Sequence, residues 1–328
     1  MSSNILVRAI RLATVVAVAG LAATPVLAAA PMAGTAAPGY YRFMLGNFEI
    51  TALSDGTVDL PVDQLLHEPA EKTLAALHAA FEKAPLQVSD NAYLVNTGKR
   101  LVLIDTGAGD LFGPTLGKLM SNLKASGYQP GHVDDIFLTH MHPDHVGGLV
   151  RNHVIQFPNA VVHADRVEAT YWLSRKNLDN APDASRSFFQ DAMASVGPYV
   201  QAGKFRGFDG SVELLPGVKS YPGFGHTVGH TTYLVESEGK KLLLIGDLIH
   251  VPAVQFAHPE VTIAFDTDPA EAAASRTRVF EQAAGNRTLI AGAHLPFPGL
   301  GHLRARGKAF QWVPVDYSRM PAGEQKPH

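Results

Sequence analysis

The run His140-Met141-His142-Pro143-Asp144-His145 puts three imidazoles and one carboxylate into six residues. These are the donor types that suit zinc and neighbouring first-row metals. The run follows directly on Asp135-Ile136-Phe137-Leu138-Thr139, which reads as a strand, and is followed by Gly147-Gly148. Four donors on one short loop cannot converge on one small ion, because their directions differ with residue parity and with the turn. The economical reading is two ions, His140 and His142 reaching one while Asp144 and His145 turn back to the other. A solvated His-rich tract would lack both this spacing and the strand in front of it.

Further donors stand downstream. Gly225-His226-Thr227-Val228-Gly229-His230-Thr231 sets two histidines among glycines before the strand-like Thr232–Val235. Leu242–Ile245 is an apolar strand that ends in Gly246-Asp247, and Leu289–Ala293 is another that ends in His294. Strands that each deliver one donor from their C-terminal ends are how a rigid sheet positions a metal site. Spacing alone does not choose between His226 and His230.

The order HxHxDH, GHTxGH, GD and AH resembles the dinuclear hydrolase branch of the metallo-β-lactamase superfamily. Tyr40-Tyr41-Arg42, Leu53-Ser54-Asp55-Gly56-Thr57, Leu111-Phe112-Gly113-Pro114 and Phe297-Pro298-Gly299-Leu300-Gly301-His302 narrow it. They resemble the methyl parathion hydrolases and their dihydrocoumarin hydrolase-like lactonase relatives. The resemblance runs through nearly everything after the first thirty-odd residues. It implies an α/β protein, the αβ/βα sandwich of two mixed sheets flanked by helices, with its site at the shared edge of the sheets. It implies two divalent ions, expected to be zinc: one held by His140, His142 and His226, the other by Asp144, His145 and His294, with Asp247 bridging. His230 is then a supporting group, since metal-binding imidazoles need partners that fix their orientation. A homodimer is implied as well.

Two close cations lower the pKa of a water between them towards neutrality, so a nucleophile exists without serine or cysteine. The chain has no cysteine, which excludes the zinc β-lactamases that use a Cys ligand. His142 stands where the di-iron electron-transfer relatives carry a carboxylate. Phe112, Trp172 and Phe188 match the aromatic pocket of the methyl parathion hydrolases, with Leu65, Ile263 and Phe265 as further wall. Such a pocket suits a flat ring in an aryl lactone, an aryl ester or an aryl phosphotriester. His250 lies three residues beyond Asp247, where related acyl-homoserine lactonases carry a tyrosine and the organophosphate hydrolases an apolar residue. A polar donor there favours lactone opening over phosphotriester hydrolysis, and counts His250 with Asp247 as catalytic.

The N-terminus carries Arg8 and Arg11, no acidic residue, then an apolar stretch that closes on Val26-Leu27-Ala28-Ala29-Ala30. This is the layout of a secretory signal peptide over residues 1–28, and it points to a periplasmic or secreted enzyme with no stable membrane association after cleavage. Its removal takes two basic residues and no acidic one, moving the net charge from −3 to −5. That balance, without a basic run, suits neither nucleic acid nor an anionic membrane; the expected partner is a small molecule. Residues 29–44 read as a flexible tail rich in small residues, Pro and Gly, and residues 45–328 as one hydrolase domain. Within it the expected elements are a first strand at Phe48–Leu53, helices over 71–83 and 114–126, a hairpin about Thr97-Gly98-Lys99, and a helix opened by Asp268-Pro269.

Overall fold

Strands buried on both faces are the signature of a sheet covered from two sides, and Leu101–Ile104 is such a strand, every residue buried. Leu103 packs with Ile136, Val162, Phe189, Val196 and Tyr199 under helices. Val102 and Ile104 pack with Tyr233, Val235, Leu242 and Leu244 of a second sheet. The alternation of side chains along the strand thus serves two cores at once. The computed structural model that shows this describes residues 30–317 and 320. The expected signal peptide lies outside the described residues.

The first sheet and a small hairpin contain β1 (Tyr40–Leu45), β2 (Phe48–Leu60), β3 (Leu86–Asn96), β4 (Leu101–Ile104), β5 (Asp135–Phe137), β6 (Val150–Arg151), β7 (Val154–Ile155), β8 (Val161–Asp165) and β9 (Phe205–Phe208). The sheet runs β1-β2-β3-β4-β5-β8-β9, with β6 and β7 paired apart from it. It is antiparallel as far as β4 and parallel from there on. The second sheet comprises β10 (Glu213–Leu215), β11 (Val218–Pro222), β12 (Thr231–Ser237), β13 (Lys240–Gly246), β14 (Leu289–Gly292), β15 (Leu300–Arg306) and β16 (Ala309–Pro314), in that order. Only β13 and β14 are parallel there. Helices flank both sheets, the outer face of the second packing Ile245 and Ile290 against Val279 and Phe280 of helix Pro269–Asn286. This is the expected α/β sandwich of two mixed sheets. Among the described residues no helix is long and apolar enough to cross a membrane.

Local differences from expectation have physical causes. Regular structure starts at Tyr40 rather than after residue 44, because Tyr40–Leu45 pairs antiparallel along β2. The helix expected over 71–83 spans Ala70–Ala79; Phe81 lies beyond it, wholly exposed at φ 62°. The helix expected over 114–126 starts only at Leu119. A bulge between Ser54 and Gly56 turns Asp55 out of the β2 ladder. Its carboxylate accepts the amides of Ala108, Gly117 and Leu119 at 3.0, 2.8 and 2.8 Å, which holds the preceding turn as a loop. The hairpin joining β3 to β4 and the Asp268 N-cap, which accepts the Glu271 amide at 3.0 Å, are as expected.

Asp55→Ala leaves those three amides without their acceptor. It is expected to lower unfolding free energy by about 3 kcal/mol and to expose residues 107–118 to protease. Urea unfolding and limited proteolysis check this; wild-type values in both would contradict it.

Candidate metal centre

The C-terminal ends of the parallel strands converge, which is where α/β sheets place ligands. From the end of β5 come Thr139, His140 and His142. From β4 comes Asp105, from β13 Asp247, and from β14 His294. The turn into β12 carries His226 and His230. The helical turn Pro143–Val146 points Asp144 and His145 back at the same spot.

The donor atoms form two main groups, His140 with His142 and His226, and Asp144 with His145, Asp247 and His294. Within each group they lie within 4.8 Å of one another. Asp247 is central. Its Oδ2 is 2.9 Å from His294 Nε2, 3.3 Å from His250 Nε2, 3.4 Å from His226 Nε2 and 3.7 Å from His140 Nε2, and its Oδ1 is 3.1 Å from His145 Nε2. His142 presents Nδ1, 3.1 Å from His226 Nε2.

Four rings have their outer nitrogen held, which directs Nε2 inward. His226 Nδ1 donates to Asp266 Oδ1 at 2.9 Å, His145 Nδ1 to Asp105 Oδ2 at 2.9 Å, and His294 Nδ1 to the Ser89 carbonyl at 2.9 Å. His140 Nδ1 lies 3.0 Å from Thr139 Oγ1, which itself donates to Asp105 Oδ2 at 2.8 Å. His230 does something else. Its Nε2 accepts the Asp247 amide at 3.1 Å, so it braces the carboxylate from behind. Gly246 permits this: its φ is 51°, and a Cβ there would meet His230 Nε2 at 2.6 Å. His226 faces the donor cluster and His230 the backbone.

The residues fit divalent cations. His140 Nε2, His145 Nε2 and Asp247 Oδ1 are buried without a hydrogen-bond partner. Lone pairs facing one another in a buried site call for a cation. Burial, then neighbouring imidazoles, hold His140 and His142 well below the ordinary histidine range. Burial opposes protonation of His145 too, yet the carboxylates of Asp247, Asp144 and Asp105 prevail and raise it. One donor group is therefore all imidazole and the other rich in carboxylate.

Over the centre lies a cavity of about 120 Å³ walled by Val58, Leu60, Phe112, Leu116, Phe188 and Phe265, with His142, Asp144, Asp247, His250 and His294 at its base. Of the six residues expected to bind substrate, Phe112, Phe188 and Phe265 line it. Trp172, Leu65 and Ile263 do not. Trp172 is buried edge-on behind His142, with ring centroids 5.3 Å apart. Ile263 and Leu65 belong to the apolar cluster beneath the wall. Val58, Leu60 and Leu116 were not anticipated; the bulge at Asp55, which resets the parity of β2, is what presents the first two. A larger groove of about 1120 Å³, flanked by Phe43, Arg278 and His302, holds none of these donor groups.

Residues 87–294 match the family model described as Metallo-beta-lactamase superfamily. Among solved structures, the hydrolase AbOPH in beta lactamase superfamily is 38% identical, the match covering 87% of this chain and all of that one, with a TM-score of 0.82. AidC, a dizinc quorum-quenching lactonase in complex with a product, is 28% identical over 86% of this chain and 99% of that one, with a TM-score of 0.78. Lactamase-like protein adaB of Aspergillus niger is 29% identical over 60% of this chain and 50% of that protein. The chain spans about half the length of the curated relatives it matches.

His250 is held by Gln255, which is fully buried: Oε1 accepts the amides of His250 and Val251 at 2.8 and 2.9 Å, and Nε2 donates to the Val261 carbonyl at 3.0 Å. Gln255→Leu leaves the two buried amides of His250 and Val251 unpaired, while the Val261 carbonyl keeps Arg276. Its expected cost is about 3 kcal/mol, read by chemical denaturation; an unchanged unfolding midpoint would contradict this role.

Proposed function

The chain belongs to the metallo-β-lactamase superfamily, and we propose that it is a dinuclear metal hydrolase that opens lactones and aryl esters of the dihydrocoumarin type, with weaker hydrolysis of organophosphate triesters. The observation that carries this reading is the Asp247 carboxylate, within 3.7 Å of imidazoles from both donor groups. On this reading His140, His142 and His226 hold one ion, Asp144, His145 and His294 the other, and Asp247 bridges. The ions are zinc, in keeping with the dizinc relative AidC. When bound, they supply an activated water and polarise the substrate oxygen.

The protein's own groups supply the rest. Phe112, Phe188 and Phe265 stack on a flat ring and keep bulk water from the centre. Among the described residues no lysine or arginine lines the cavity, so it favours an uncharged substrate. Burial pushes His250 down to about 4, which leaves it a neutral imidazole able to donate one hydrogen bond to the carbonyl or leaving oxygen. A homodimer and a periplasmic or secreted location, free of membrane after signal cleavage, complete the proposal. They rest on the family resemblance and the N-terminal pattern.

A second reading, a methyl parathion-type hydrolase, draws on the same aromatic wall, which takes an aryl phosphotriester as readily as an aryl lactone. The two differ at the reacting centre: a planar ester becomes tetrahedral, whereas a tetrahedral phosphorus becomes five-coordinate. His250 beside Asp247 suits the smaller centre. We expect kcat/KM to be higher for dihydrocoumarin than for methyl parathion. His250→Leu should lower the first and raise the second, each by about tenfold, or about 1.4 kcal/mol. Wild-type preference for methyl parathion, or a ratio that His250→Leu leaves unmoved, would overturn the lactonase assignment.

A further inference from the structure

Glu168 is a carboxylate buried completely in helix Arg166–Trp172. Among the described residues no lysine or arginine pairs with it. Burying such a charge without a cationic partner is costly, and burial pushes its carboxyl up to about 7 even though backbone amides favour the charged form. An acid buried in this way calls for an explanation.

Its contacts provide one. One oxygen accepts the Met141 amide at 2.9 Å and the other accepts the Gly229 amide at 2.8 Å. Met141 stands between His140 and His142, and Gly229 lies three residues after His226. The carboxylate therefore grips both loops that carry the all-imidazole donor group, loops more than eighty residues apart in the chain. The grip is close: a Cβ on Gly229 would come within 2.4 Å of the Glu168 amide nitrogen. The other donor group contains Asp144 and Asp247; the imidazole group has no carboxylate of its own apart from the shared Asp247.

We propose that Glu168 is a positioning residue that clamps the His140–His142 loop to the His226 loop at the separation one ion requires. The inference rests on the dinuclear reading above. A glutamine in its place has one acceptor oxygen and one donor NH2, so it can serve only one of the two amides.

The test is calorimetric titration of apoprotein with Zn2+, with Co2+ absorption spectra as a second readout. Wild-type protein binds two ions. Glu168→Gln is expected to bind one ion as wild type does and the other about tenfold to hundredfold more weakly, with a changed Co2+ spectrum for the weakened site. Crystals of the variant at limiting metal should then show the ion at His140, His142 and His226 depleted. Glu168→Asp keeps both acceptor oxygens but shortens the reach, and should show the same selective weakening if the glutamine variant does not fold. Unchanged affinities, or equal loss at both sites alongside a lowered Tm, would make Glu168 merely structural and overturn the proposal. Wild-type protein that binds fewer than two ions would instead overturn the dinuclear reading on which it rests.

Discussion

A buried carboxylate ringed by five imidazoles is the constraint around which this protein is built. Asp247 lies within 3.7 Å of His140, His145, His226, His250 and His294, and is almost wholly withdrawn from water. Lone pairs at such distances repel unless protons or cations stand between them. The fold must hold them there against that repulsion. It does so by growing each donor from the end of a strand whose other residues are locked into one of two cores. The sandwich brings the tips of β5, β13 and β14 to one edge, and the backbone clamps close the gaps between them.

The clamps are the second layer of the design. Asp105, at φ 61° just after β4, takes the Thr139 amide, the Thr139 hydroxyl and His145 Nδ1. Asp266 takes His226 Nδ1 and the Ile263 amide. Arg276, buried to 1% exposure, reaches the carbonyls of Leu248, Pro259 and Val261, joining the loop after Asp247 to the segment before Asp266. Each clamp uses a charged group to fix backbone, and charge-assisted hydrogen bonds are the stronger kind. A centre supported this way enters its chemistry with little reorganisation left to do.

What could be read from sequence follows from how local each signal is. The donors are legible because they sit in short motifs directly after apolar strands; between His226 and His230 only the family pattern chooses in sequence, and the Asp247 amide on His230 has no sequence signal. Asp105, Glu168, Gln255 and Asp266 carry no motif. Each acts through one or two atoms on backbone far away in the chain, and only the tertiary structure joins them. Three of the six expected wall residues, Phe112, Phe188 and Phe265, reach the cavity. Trp172, Leu65 and Ile263 are apolar in the same neighbourhood but face a core, a distinction that composition does not encode. Val58 and Leu60 depend on the bulge at Asp55, and a one-residue shift of strand parity has no apolar signature of its own.

The central claim is that one carboxylate serves two ions. Metal analysis of the mature protein after reconstitution with Zn2+, set beside Asp247→Ala, tests it most directly. The account predicts two ions per chain in the wild type, and in the variant one ion at most together with near-complete loss of hydrolysis. A single ion in the wild type, or two retained by Asp247→Ala, would contradict it.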